Sequence, residues 1–93
     1  MDLLWTPESI QDRESIYDYI EADNPFAALV MDELFSQQAC LLLDQSGLGR
    51  LGRVRGTREW VVHPNYILVY DLVNDQVRVL RVLHVAKRWP PSV

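Results

Sequence analysis

The sequence has one cysteine, Cys40, so no internal disulfide can form, which fits a reducing compartment such as the cytoplasm. No apolar run approaches the ~20 residues a bilayer crossing needs, so no membrane partner is expected. The start, Met1-Asp2, lacks a basic segment followed by a long apolar one, which argues against a secretory signal. There is no internal repeat and no low-complexity segment. Metal-ligand spacing is missing, and Gly47, Gly49 and Gly52 do not open a helix after a strand, so neither a metal nor a nucleotide cofactor is expected. What is present suits a soluble globular chain: 93 residues, 48% hydrophobic and 24% charged, enough for one domain over residues 1–93 with a single modest core.

Basic residues are nearly missing from the first half. Residues 1–45 hold ten acids against Arg13 alone, whereas residues 46–93 hold eight bases against Glu59, Asp71 and Asp75; the net charge is −4. A chain divided this way is expected to fold with an acidic face and a basic face.

The pattern of apolar residues divides the chain at the same place. Leu3-Leu4-Trp5 reads as a first strand. Thr6-Pro7-Glu8 opens a helix, with threonine as cap, proline where no amide hydrogen is needed, and an acid on the positive end of the dipole. Ile10, Ile16, Tyr17 and Ile20 are its expected core stripe. Asn24-Pro25 repeats the signal for a second helix, with Phe26, Leu29, Val30, Leu34, Phe35, Leu41 and Leu42 expected to face inward. So short a connection packs the two as an antiparallel hairpin. After Asp44 the period turns extended. Residues 58–62, 66–71 and 76–85 are rich in Val, Ile, Leu, Tyr and Trp and are separated by His63-Pro64-Asn65 and Val73-Asn74-Asp75, which predicts an antiparallel meander under the hairpin. The tail from Trp89 through Pro90 and Pro91 to Val93 cannot continue a strand or helix. Cys40, with no His nearby in sequence to activate it as a nucleophile, reads as a small buried hydrophobe.

The most informative stretch is Gly47–Tyr70, in which a glycine-punctuated loop presents Arg50, Arg53, Arg55 and Arg58 ahead of two strands. Together with its flanks it resembles the RelE/ParE superfamily of small toxins from bacterial toxin–antitoxin modules. The resemblance runs over nearly the full length. It is carried by Trp5-Thr6-Pro7, Ile16-Tyr17-Asp18-Tyr19-Ile20, Asn24-Pro25, Ala27-Ala28, Leu48-Gly49-Arg50, Gly52-Arg53-Val54, Gly56-Thr57-Arg58-Glu59, Tyr66-Ile67-Leu68-Val69-Tyr70 and Leu80-Arg81-Val82-Leu83-His84. It implies an α+β fold: an N-terminal strand and an antiparallel helical hairpin packed on a three- to four-stranded antiparallel sheet. It also implies a cytoplasmic toxin held by a cognate antitoxin, whose C-terminal segment docks as a helix in a groove and a strand at a sheet edge. Operator DNA is reached only through the antitoxin.

Two activities occur in that superfamily. RelE-like members cleave mRNA in the ribosome, which needs a cation at the scissile phosphate and an acid and base around it. ParE-like members inhibit DNA gyrase. Nuclease relatives carry an arginine in the middle meander strand where this chain has Ile67. Trp60 replaces one cation of the preceding strand, and no tyrosine corresponds to the C-terminal one of RelE. The net negative charge also disfavours a ribosomal RNA target.

The expected function is therefore a ParE-like gyrase inhibitor, with Arg53, Arg55, Arg58, Arg81, Lys87, Arg88 and Trp89 as target contacts and the hairpin facing the antitoxin. The alternative is a ribosome-dependent mRNA endonuclease using Arg58, Arg88 and His84. Arg81 is expected to be either a structural ion-pair member or part of the recognition face. Arg78 is expected on the opposite face from Arg81, and Trp60 and Trp89 are either core residues or interface anchors.

Overall fold

Both helices begin where the cap-and-proline pairs predict. In the computed structural model, which describes residues 1–91, the order is β1 (Asp2–Trp5), α1 (Pro7–Glu21), α2 (Pro25–Asp44), β2 (Arg50–Leu51), β3 (Arg58–His63), β4 (Tyr66–Val73) and β5 (Gln76–His84). Ser92 and Val93, the end of the proline-rich tail, lie outside the described residues. The Thr6 hydroxyl accepts from the Ser9 amide and the Asn24 side-chain Oδ1 from the Ala27 amide, so each cap satisfies a backbone donor that the helix leaves open. Residues 22–24 join the helices into the expected antiparallel hairpin. Arg13 ties it together: its guanidinium donates to Asp32 at 2.9 Å and to the Ser36 hydroxyl at 3.0 Å, and lies 4.4 Å from the Trp5 ring centroid.

The sheet has five strands in the order β1-β5-β4-β3-β2, not three or four, and it is mixed. β3, β4 and β5 form the expected meander, but β1 pairs parallel to β5, Leu3 opposite Val77 and Trp5 opposite Val79. A parallel partner needs a crossover connection, which the helical hairpin supplies. The extra strand, β2, is two residues antiparallel to the start of β3, too short to leave a periodic signal in the sequence. Asn74 and Asp75, both at positive φ, make the tight β4–β5 turn.

One irregularity decides which side chains share a face. Between β4 and β5 the register shifts: Val69 pairs with Arg81 and Tyr70 with Val79, leaving Leu80 as the extra residue of a bulge. Strict alternation places Arg81 with Val77 and Val79. The bulge instead puts Arg81 and Leu83 on the opposite sheet face from Val77, Val79 and Val82, which lie on the helix-covered face with Tyr66, Leu68 and Tyr70. Arg78, opposite Asp71, and Arg81, opposite Val69, therefore share the other face rather than pointing to opposite ones.

Phe35, Ala39 and Leu42 of α2 close the helix side of this core, with Phe35 edge-on to Tyr66 at 5.5 Å. Trp60 and Val62, half-buried, pack against this core, and Trp60 donates to Gln38 at 2.9 Å, which favours the core reading of Trp60. The buried line on α2 runs through Ala28, Phe35, Ala39 and Leu42, because small alanines let the helix approach the sheet. Phe26, Leu29 and Val30, expected inside, are exposed instead, Phe26 at 74%; so are Ile10 on α1 and Cys40 on α2. The apolar stripe of α2 is wider than the face the sheet can cover. Its 20 residues also reach the length and mean hydropathy, 1.3, of a bilayer-crossing helix, which a reading of uninterrupted apolar runs missed.

Tyr66, buried beside Tyr19, has its phenol raised above 10.0, chiefly by desolvation. Its folded-state value exceeds the unfolded one, so its contribution to stability is full below pH 10 and is lost as pH rises through the folded value. Alkaline unfolding monitored by phenolate absorbance should show this loss. Tyr66→Phe should flatten the stability profile above pH 10, and an unchanged alkaline slope would refute the assignment.

Candidate functional site

The arginine loop is built inward before it is presented outward. Tyr70, fully buried, accepts a hydrogen bond from the Gly49 amide at 2.9 Å and donates to the Ser46 carbonyl at 2.7 Å. A Cβ on residue 49 would stand 2.7 Å from the Tyr70 ring, so only glycine admits this approach. Arg58, on the helix-covered face opposite Tyr70, donates to the Gly49 carbonyl at 2.8 Å. The turn is closed by Gly52 N–H donating to Thr57 O at 2.8 Å and by the Thr57 hydroxyl donating to Val54 O at 2.6 Å, with Gly56 at φ +83°.

Beneath the turn lies Glu59, 1% exposed. One carboxylate oxygen accepts from the Arg53 backbone amide at 3.0 Å; the other takes Arg50 Nη2 at 3.3 Å and lies 3.5 Å from Arg53 Nε. Three of the four loop arginines are thus engaged within the loop. Arg55, exposed at the tip, has no hydrogen bond or ion pair among the described residues.

The sheet face opposite the helices carries the rest of the basic half. Ile67, Val69 and Leu83 form a small buried patch on which Trp89 packs, and the Arg81 guanidinium lies 5.4 Å from the Trp89 ring centroid. The Trp89 indole N–H is buried without a partner. Arg81 is turned onto α1: it donates to both oxygens of Asp12, at 2.7 and 2.9 Å, and Asp12 also accepts the Val82 amide at 2.9 Å. The hydrogen bond with Asp12 raises the Arg81 pKa against the opposing effect of burial. Arg78 is likewise paired, to Asp71 at 2.6 and 2.8 Å. Lys87 and Arg88 are exposed on the segment leading to Trp89.

Arg53, through Glu59, and Arg81 and Trp89 are therefore on or around one sheet face, with Arg55 at the loop tip and Lys87 and Arg88 in the segment leading to Trp89. Arg58 and His84 are not. Arg58 pairs with Tyr70 and His84 with Tyr66, four residues along β4, which separates them by about 13 Å in the strand direction alone. His84 Nδ1 accepts from the Ala86 amide at 3.1 Å, and His63 Nδ1 likewise from Asn65 at 3.0 Å. Among the described residues no three His, Cys, Asp or Glu side chains converge as a metal site.

The hairpin presents the opposite chemistry. An acidic surface carries the exposed Ile10, Tyr19, Phe26, Leu29 and Val30. A cleft of about 590 Å³ opens between α1 and the sheet end, lined by Ile16, Tyr19, Ile20, Met31, Tyr66 and His84. Sequence reasoning missed three residues that organise the basic face: Glu59, Asp12 and Tyr70. Glu59 could have been noticed as the one acid within the arginine run; Asp12 is 69 residues from its partner and gave no signal.

Residues 3–89 match the family described as ParE toxin of type II toxin–antitoxin system, parDE. Y4kP, a candidate toxin of Sinorhizobium fredii, is 33% identical over 87 residues, covering 92% of this chain and 90% of that protein. Toxin RelE2 of Caulobacter vibrioides is 32% identical over 85 residues, covering 91% and 96%. A solved structure of a chromosomal ParDE system from P. aeruginosa aligns with a TM-score of 0.83 at 25% identity, over 91% of this chain and 96% of that one. A mutant of YafQ from E. coli shares the fold, with a TM-score of 0.61 at 17% identity over 91% and 93%.

Proposed function

This chain belongs to the ParE toxin family of type II toxin–antitoxin systems, and from that membership we propose that it is a non-enzymatic inhibitor of DNA gyrase, kept inactive in the cytoplasm by its cognate antitoxin. The observation that carries this reading is Ile67. At the central-strand position where nuclease relatives hold a phosphate-binding arginine, an aliphatic side chain is buried against Leu83 and Trp89. The nearby cation, Arg81, is spent on Asp12. An isoleucine cannot stabilise developing phosphate charge.

Two further observations support the same reading. Arg58 is tied to the Gly49 carbonyl and its strand position lies about 13 Å from that of His84, so the two are not gathered around one point in this structure. The acidic, partly apolar hairpin suits the antitoxin, which leaves the basic sheet face for the target.

Purified chain added to a gyrase supercoiling assay should block supercoiling, while an in vitro translation reaction with the same chain should keep its mRNA whole. mRNA cut inside ribosomes, with supercoiling untouched, would replace the gyrase reading by the endonuclease one.

A further inference from the structure

The loop of residues 50–58 holds a carboxylate where burial is costly. Taking Glu59 out of water is tolerable only because Arg50, Arg53 and the Arg53 amide surround it, and an apolar residue at this strand position would pack at lower cost. What the carboxylate supplies is geometry. It binds one backbone amide and two guanidiniums of the loop at once, and the closed turn from Gly52 to Thr57 sits on top of it. Arg50 and Arg53 share the one carboxylate, which offsets a single positive charge between them, and Arg58 is held by the Gly49 carbonyl, so the loop stays basic and Arg55, at its braced tip, carries the one guanidinium of the loop with no protein acceptor among the described residues. Because the loop backbone is fixed in advance, binding need order only the Arg55 side chain, whose planar guanidinium suits a bidentate anion.

Resting on the gyrase reading, we infer that Arg55 is a contact residue of the toxin for a carboxylate on the gyrase protein, and that Glu59 is the positioning residue that presents it. A protein carboxylate fits better than DNA phosphate. Phosphate tracking needs a row of mobile cations along a strand, whereas here Arg50, Arg53 and Arg58 are each held by an acceptor within the loop, Arg78 and Arg81 are paired to acids, and the chain is negative overall.

The test measures binding to purified gyrase without DNA, for the wild-type chain, Arg55→Ala, Glu59→Gln and the double variant. Glutamine keeps the size of Glu59 and an oxygen for the Arg53 amide but loses both ion pairs. Each single change should weaken binding about tenfold, as loss of one charge-assisted contact does, and the double variant should be no weaker than either single. That non-additivity is the readout a merely structural Glu59 would not give, since independent effects multiply. Arg55→Ala removes an exposed side chain without a described partner, so its melting temperature should match wild type and it remains decisive if Glu59→Gln folds poorly.

Wild-type affinity retained by Arg55→Ala, or multiplying effects in the double variant, would overturn the inference. So would binding that appears only when DNA is present. If the wild-type chain leaves supercoiling intact, the gyrase reading fails and takes this inference with it. If it blocks supercoiling while Arg55→Ala blocks it equally, the inference alone fails.

Discussion

Asp12→Ala is expected to lower the melting temperature by about 12–24 °C, corresponding to about 3 kcal/mol in a domain of this size. Asp12 and Arg81 are largely shielded, at 12% and 21% side-chain exposure, so screening by solvent is limited. Removing the carboxylate strands a guanidinium between α1 and β5 and leaves the Val82 amide without its acceptor. The position explains why a side chain is used there at all. β1 covers the edge of β5 only as far as Val79, and beyond it Thr6 bonds the Leu80 carbonyl and Asp12 the Val82 amide. Losing Asp12 therefore unpins α1 from the sheet edge as well as breaking an ion pair. Asp71, whose partner Arg78 is more exposed, gives the comparison: Asp71→Ala should cost under about 1 kcal/mol. Thermal unfolding of both variants by circular dichroism checks the contrast, and equal effects would show that burial is not what sets the strength of the Asp12 pair.

Gly49→Ala should cost about 3 kcal/mol, at the upper end of what overpacking one methyl group does. The new Cβ would meet the Tyr70 ring at 2.7 Å, its hydroxyl at 2.8 Å and the Glu59 carbonyl at 3.1 Å. None of these can give way easily, because Tyr70 is fully buried and held by Ser46 and Gly49, and Glu59 belongs to a paired strand. Part of the clash is with the hydroxyl. In a Tyr70→Phe background the same substitution should consequently cost about 1 kcal/mol less, a coupling a double-mutant cycle resolves. Because residue 49 leads directly into the arginine loop, Gly49→Ala should also reduce the proposed gyrase inhibition at temperatures where the protein stays folded. Full inhibition and an unshifted melting temperature would mean that the Gly49–Tyr70 approach is looser than described.

The glycine-punctuated loop was legible in sequence as a place of tight turning, but the purpose of its glycines was not. Gly49 is needed because an aromatic residue 21 positions later presses against it. Likewise, four loop arginines looked like one basic presentation, and the fold ties three of them to acceptors within the loop while Arg50, Arg53 and Arg55 stay exposed. The difference is a single buried acid whose partners could be identified only once the loop closed over it. Arg81 carried two readings in the sequence, ion-pair member or recognition face. Asp12 decides for the ion pair, while the side chain still borders the Trp89 patch.

Element types, their order and most boundaries followed from local chemistry, since caps, prolines, turn residues and apolar period act over a few neighbouring residues and are written where they act. The acidic-first, basic-second division was also plain in the sequence and became two chemically distinct surfaces. Tertiary structure alone decided the parallel docking of β1, the bulge at Leu80 that places Arg78 and Arg81 on one face, and which part of the α2 apolar surface stays exposed. Those outcomes depend on which distant segments meet and in what register. A one-residue shift in register inverts the facing of every side chain beyond it, and no local pattern records it.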